Sequence, residues 1–255
     1  MQAPTNKLKA RFRQDTPSFG CWLNLCAPAA AEIAAHAGFD WLLIDGEHGP
    51  YDVGIISDQL RVIQGLPTEA IVRIPSDETW IIKQVLDIGA QSIMVPMVNT
   101  AEQAKNIVKA CMYPPKGIRG MGASVARAGQ YGNLTDYITT ANDEICIIAQ
   151  VETQQALDNL DDMLAIPEID GFFIGPADLS ADLGFVDQAE HPEVLRIISE
   201  TLAKIHAAGK TAGVMSLNDK ITPTHIRSGA RMLATASDAL ALNAALKTKA
   251  KAFSD

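Results

Sequence analysis

Residues 145–180 read ICIIAQVETQQALDNLDDMLAIPEIDGFFIGPADLS. Two short greasy runs, ICIIAQV (145–151) and GFFIG (171–175), flank QQALDNLDDMLAI, whose apolar residues recur at i, i+3 and i+4. An unbroken apolar run is the pattern of a strand covered on both faces, and the spaced one is that of an amphipathic helix. A strand, a returning helix and a second strand build parallel sheet. The stretch also sets one carboxylate directly behind each run, Glu152 and Asp178, where an acid next to a core is costly.

The same alternation extends in both directions. Further runs are FGCWLNL (19–25), WLLID (41–45), AIVRI (70–74), SIMVPM (92–97), TAGVM (211–215) and RMLATA (231–236), which makes eight in all. Amphipathic segments separate them, and several end in glycine (Gly38, Gly89, Gly209, Gly229), as a helix closed by a left-handed residue does. Ser237 before DALALNAALK has the form of an N-cap. Eight strand–helix repeats in 255 residues predict a single (β/α)8 barrel, one domain over 1–255. An open doubly wound sheet would carry a glycine-rich turn after its first strand, and NLCAPAAAEIAA has no G-x-G-x-x-G. The longest irregular stretch, about 112–141, reads as an excursion on the strand-to-helix side.

Composition narrows the partners. A net charge of −9 argues against nucleic acid or an anionic membrane surface, both of which need clustered Lys and Arg. Cys21, Cys26, Cys111 and Cys146 form no C-x-x-C pair and read as reduced core thiols of a cytoplasmic protein. MQAPTNKLKARFRQD lacks the apolar stretch of a signal peptide, and no run is long enough to span a bilayer.

Barrel enzymes build their sites where the strands end, so the residues behind each run are the candidates. They are Trp22, Asn24 and Cys26 after the first; Asp45, Glu47 and His48 after the second; Arg73 in the third; and Pro96 in the fourth. Gln150 and Glu152 end the fifth, Gly175, Ala177 and Asp178 the sixth, and Met215 and Ser216 the seventh. Each of Glu152 and Asp178 alone could be a helix N-cap. Together at neighbouring strand ends they repel unless a cation lies between them. Oxygen-only ligation points to a hard divalent ion, Mg²⁺ or Mn²⁺, with Co²⁺ or a similar ion able to substitute. Arg73 reads either as a buried ion pair with Asp45 or Glu152 or as a clamp for an oxyanion. Asp45 three residues before His48 suggests an acid orienting a histidine base. His36, His191, His206 and His225 read as surface or packing residues. No lysine is placed at the mouth for imine chemistry. GIRGMGAS (117–124), with Arg119, could cradle an anion or serve as a lid or subunit contact.

Taken together, GFDWLLIDGEHGP, VRIP, VPMV, YPPKGIRGMG, QVET and GFFIGPADLSADLG resemble the metal-dependent class II pyruvate aldolases of the 4-hydroxy-2-oxoheptanedioate and 2-keto-3-deoxy sugar-acid type. The resemblance spans nearly the whole chain. It implies a (β/α)8 barrel assembled as a homohexamer, a dimer of trimers with the last helix exchanged between subunits. It implies Glu152 and Asp178 as metal ligands, Arg73 at the keto oxygen of pyruvate, and His48 as base with Asp45 behind it. Asp87 matches an acid lent to a neighbouring subunit's site. Amides around Ala177 and Asp178 match those that hold the pyruvate carboxylate, and Gln150, Trp22 and Met215 belong with the substrate pocket. The implied reaction is reversible aldol cleavage of 4-hydroxy-2-keto acids to pyruvate and an aldehyde. The alternatives are a barrel lyase for malyl-type or phosphoenolpyruvate-like substrates, or a non-catalytic barrel that binds a small acid.

Overall fold

The computed structural model describes residues 1–253. Eight strands form: β1 (Ser18–Leu23), β2 (Trp41–Asp45), β3 (Glu69–Arg73), β4 (Ser92–Val95), β5 (Cys146–Val151), β6 (Gly171–Ile174), β7 (Thr211–Met215) and β8 (Ala230–Ser237). Each pairs parallel with the next and β8 pairs with β1, which closes the barrel. All eight lie on the apolar runs read from the sequence.

Within each run the side chains alternate between two cores, as the period of a strand requires. Trp22, Trp41, Leu43, Ile71, Met94, Cys146, Ile148, Phe173, Met232 and Ala234 form one buried cluster, the filling of the barrel. Their sequence neighbours Leu42, Ile44, Val72, Ile93, Ile147 and Phe172 join the larger cluster under the helices. A fully buried side chain of this size contributes about 1.5–3 kcal/mol, so both layers are needed to hold the strands. Gly20 is required by the inner one. A Cβ there would overlap the Trp41 ring, and the indole takes the space instead. The same period of two carries inward positions up each strand to its polar end: Leu43 to Asp45, Ile71 to Arg73, and Cys146 through Ile148 and Gln150 to Glu152.

Helix Lys7–Phe12 has no counterpart in the sequence-based expectation. It brings Leu8 and Phe12 onto the inner cluster and so plugs the amino end of the barrel. Asn6 caps it, accepting from the Lys9 amide at 2.9 Å, while its own amide donates to Gln91 O and Ser92 Oγ. The stretch 112–141 follows helix Ala101–Cys111 and precedes β5. It therefore lies on the helix-to-strand side, away from the mouth, which corrects the expected placement. It packs on itself through Tyr113, Ala123, Ala128, Tyr137 and Ala141. Ser237 stands at the N-cap position of the last helix, as expected, but its side chain makes no capping bond to the helix amides. Its hydroxyl bonds to Asn24 Oδ1 at 3.1 Å. That helix, Asp238–Lys251, buries none of its residues, and Leu240 and Leu246 are more than half exposed. All four cysteines are free, and burial pushes the Cys21 and Cys111 thiols up to about 12. Among the described residues no helix is long and apolar enough to cross a membrane.

Candidate active site

Asp45 and Arg73 are register partners on β2 and β3, both pointing inward at the carboxyl end of the barrel. Their side chains meet as a fork on a carboxylate, with Arg73 Nε to Asp45 Oδ1 and Nη2 to Oδ2, both at 2.8 Å. Asp45 also accepts from Trp22 Nε1 (3.1 Å), Asn24 Nδ2 (2.7 Å) and the amides of Glu47 and His48. Burial alone would raise its pKa. The Arg73 pair and the two amides more than offset this and hold it below the usual 3.8. The guanidinium lies 5.1 Å from the Trp22 ring, which in turn packs on Phe173 at 5.4 Å. Arg73 is thus fixed on three sides, with its Nη1 edge directed to Glu47 Oε2 at 2.7 Å and to Gln150 Oε1 at 3.5 Å.

A depressed carboxylate pKa stabilises the fold above the unfolded value and loses that contribution as pH falls through the folded one. Asp45→Asn is therefore expected to cost about 3 kcal/mol at pH 7, the low end for breaking a buried pair. The gap from wild type should shrink as pH drops below about 3.8. Urea unfolding between pH 7 and pH 3 checks this, and a gap that stays constant would contradict it.

A second group of carboxylates surrounds the free edge of Arg73. Glu152 is 2% exposed and sits between two donors, the Met97 amide at 2.8 Å and the Gln150 side-chain amide at 2.5 Å. Met97 adopts φ 53°, unusual for a residue with a side chain, as its amide is turned onto Glu152. Glu152 does not cap the helix after β5; Thr153 does, accepting from the Ala156 amide. Burial raises the Glu152 pKa to about 7. The Met97 amide opposes the rise, Asp178 and Glu47 add to it, and Arg73 again opposes it. Glu47 is likewise raised, by burial first and by Asp45 and Asp178 as well. Glu47, Glu152 and Asp178 repel one another through space, with Arg73 already committed to Asp45. Among the described residues, no three His, Cys, Asp or Glu side chains gather as a ready-made metal cluster. Gly175 is tight against this group, since a Cβ there would lie 2.5 Å from Glu152 Oε2.

Above the network opens a cavity of about 480 Å³. Trp22, His48, Arg73, Gln150, Ala177, Asp178 and Met215 all line it, so most of the residues expected at the site converge. Ala177 and Asp178 belong to the first turn of helix Pro176–Asp182, where backbone amides have no intrahelical acceptor.

Three expectations need correction. The Asp45 carboxylate does not reach the His48 ring. It is filled by Arg73, Trp22 and Asn24, and touches only the His48 amide. The His48 ring is 65% exposed, with Nε2 3.9 Å from Glu47 Oε2. Asp87, expected at a neighbouring subunit's site and not at its own, is not among them: it lies outside the cavity of its own barrel. It ends helix Thr79–Asp87, which runs back from the mouth, and pairs with Arg119 Nη2 at 2.8 Å. Arg119 is no anion cradle, being 1% exposed and stacked over Tyr113 at 4.5 Å. His225, taken from sequence as surface or packing, is buried and lines the cavity.

Comparison with known proteins places this geometry. Residues 18–249 match the family described as HpcH/HpaI aldolase/citrate lyase. A hydroxypyruvate/pyruvate aldolase of Agrobacterium fabrum is 47% identical over 238 residues, 93% of this chain and 90% of that protein. A 2-keto-3-deoxy-L-rhamnonate aldolase of Escherichia coli O17:K52:H18 is 45% identical, over 98% of this chain and 93% of its own. The crystal structure of an HpcH/HpaI aldolase/citrate lyase family protein from Burkholderia cenocepacia J2315 superposes with a TM-score of 0.93 at 37% identity, covering 98% of this chain and all of that one. The chain belongs to the HpcH/HpaI aldolase/citrate lyase family and is a carbon–carbon lyase of the aldolase kind.

Proposed function

We propose that this aldolase joins pyruvate to an aldehyde and, in reverse, cleaves 4-hydroxy-2-keto acids, with a divalent ion held by Glu152 and Asp178. The observation that carries this is the locked Arg73 beside three mutually repelling carboxylates, of which Asp178 lines the barrel-mouth cavity and Glu47 and Glu152 lie next to it. The residues fit such an ion: the donors are hard oxygens, Glu152 is a carboxylate whose ionisation burial opposes, and the cation beside it, Arg73, is already paired with Asp45 and Glu47. Mg²⁺ or Mn²⁺ suits the set, and Co²⁺ can replace them. When bound, the ion supplies a Lewis acid that lowers the cost of negative charge on the keto oxygen.

The rest is done by the chain. First-turn amides at Ala177 and Asp178 receive the pyruvate carboxylate. Arg73 donates to the keto oxygen and gains strength as charge develops there, because its fork cannot rotate away. Trp22, Gln150 and Met215 shape the pocket around the methyl group. His48, at the open side, takes the methyl proton through water. The resulting enolate carbon attacks the aldehyde carbon to form the C–C bond, and the new alkoxide takes a proton back. Asp45 acts by orienting Arg73, not His48. Among the described residues lining the cavity there is no lysine, which disfavours an imine route. The test is pyruvate release from a 4-hydroxy-2-keto acid. EDTA should abolish it and borohydride should not inactivate the enzyme; borohydride inactivation with EDTA-resistant turnover refutes the proposal.

Gly175→Ala provides a geometric check. The backbone angles (φ −93°, ψ 95°) suit alanine, so only the Cβ contact with Glu152 and Gln150 changes. A displacement near 1 Å costs about a hundredfold in rate, and overpacking costs about 1–3 kcal/mol of stability. Kinetics alongside thermal unfolding should show the first effect outweighing the second.

Residues 1–255 act as one catalytic domain in a cytoplasmic homohexamer, a dimer of trimers. The unburied final helix with its exposed leucines supports exchange between subunits, and the distance of Asp87 from its own cavity supports its service to a neighbour. Sedimentation should give six times the 27.3 kDa of one chain; a monomer would overturn this.

A further inference from the structure

Two side chains are left incomplete within one barrel. The His48 ring is exposed at the cavity, and no described residue hydrogen-bonds to it; Asp45 reaches only its amide, and Glu47 stands 3.9 Å away. Asp87 is an acid at the last position of helix Thr79–Asp87, the end where the helix dipole opposes negative charge. Among the described residues its carboxylate bonds to Arg119 alone, through Oδ1. Oδ2 lies beside Gly122, where the missing side chain leaves it open: a Cβ there would stand 3.7 Å away.

Arg119 is placed at a cost. It lies over the rings of Tyr113 (4.5 Å) and Tyr137 (5.9 Å), its side chain fully buried, and Nε and Nη1 have no hydrogen-bond partner. Buried donors left unmet destabilise a fold, and a chain that keeps them breaks a local rule most often where function requires it. The loop that carries Arg119 is tied down. The amides of Ile118 and Arg119 donate to the carbonyls of Lys109 (2.8 Å) and Met112 (2.9 Å), at the end of helix Ala101–Cys111. Arg127 Nη1 donates to Ile88 O at 2.7 Å and so holds the backbone next to Asp87. A buried, stacked guanidinium on a tied loop does not turn, and the carboxylate it grips keeps one oxygen held and one presented. Around that carboxylate Ile118 and Met121 stand more than half exposed, an apolar surface that a second copy of the chain would cover.

We propose that Arg119 is a positioning residue for a neighbouring subunit's proton transfer: it fixes Asp87 so that Oδ2 meets the partner subunit's His48. This rests on the pyruvate aldolase reading above and on the lending of Asp87 to a neighbour, and deepens both. An exposed base without an acid and an oriented acid without a base complete each other across the assembly. The ring donates one N–H to Oδ2, which leaves its other nitrogen to take the methyl proton of pyruvate through water. Arg119 touches neither substrate nor ring and acts only through Asp87.

The test mixes subunits. Arg119→Met and His48→Asn are made alone and also co-expressed with different tags, so that hybrids containing both chains can be purified. In Arg119→Met alone, kcat should fall about a hundredfold, the cost of a misplacement near 1 Å, with KM little changed. In the hybrids, chains with an intact His48 gain neighbours with an intact Arg119, and kcat should rise at least about tenfold above the better parent. A role for Arg119 confined to its own barrel gives no such recovery, because every intact His48 in the hybrid belongs to a chain without Arg119. No recovery, or an undiminished kcat in Arg119→Met, overturns the proposal. Should Arg119→Met fail to fold, Arg119→Lys is read by the same criteria, since lysine keeps the charge but not the planar stack. Hybrids of Asp87→Asn with His48→Asn separate the levels. Recovery there but not with Arg119→Met removes this inference alone, and recovery in neither removes the lending of Asp87. Absence of pyruvate methyl-proton exchange in wild type with Mg²⁺ removes the aldolase reading beneath them.

Discussion

Arg73→Lys is expected to lower kcat/KM for the aldol reaction by about 10²–10³-fold, the loss seen when a preorganised oxyanion donor is removed. Lysine keeps the charge but not the fork. The Asp45 carboxylate would keep at most one of its two 2.8 Å bonds, and the Nη1 contacts to Glu47 and Gln150 would go with the guanidinium. Most of the loss should fall on kcat, because the interaction strengthens only as charge develops on the keto oxygen. Arg73→Ala is expected to be worse for stability as well, by about 3–5 kcal/mol, since it leaves a buried Asp45 with no counter-charge. Urea unfolding of both variants separates the two effects. A lysine variant with undiminished turnover would remove Arg73 from the chemistry.

Glu152→Gln is expected to move activity and stability in opposite directions. Turnover should fall at least a hundredfold, because several kcal/mol of charge stabilisation depend on the ion and each 1.36 kcal/mol is a factor of ten. Without metal, the variant should melt about 2–4 °C higher than wild type at pH 8. It removes one member of the repelling set of Glu47, Glu152 and Asp178, a gain of about 1 kcal/mol. Wild type should gain stability on adding Mn²⁺ and the variant should not. A structural role for Glu152 would give the reverse: a lower melting temperature, with residual activity still responding to metal.

The barrel was legible because parallel strands covered on both faces leave unbroken apolar runs, as in WLLID and ICIIAQV, and eight such runs leave little choice of architecture. The polar mouth was legible for a related reason. Period two carries Asp45, Arg73, Gln150 and Glu152 to the inner face at the strand ends. What the strand pattern cannot show is which polar groups pair. Spacing along the chain joined Asp45 to His48, three residues away. Register across the sheet joins it to Arg73, 28 residues away, so the ion-pair reading of Arg73 holds with Asp45, and the same side chain also lines the cavity. His225 was missed because THIRSG carries no apolar period, and only the fold of residues 216–221 turns it inward. The plug Lys7–Phe12 was missed because four of its six residues are charged or small, with Leu8 and Phe12 alone facing the core.

The most direct test is proton NMR of pyruvate in D₂O with the enzyme and Mg²⁺, with no aldehyde present. Loss of the methyl signal through deuterium exchange is expected. It should be stopped by EDTA, restored by added Mg²⁺, and slowed about 10²–10³-fold in Arg73→Lys. A methyl signal that persists with the metal-loaded enzyme, or that exchanges equally fast in EDTA, would contradict a metal- and arginine-supported enolate at this site.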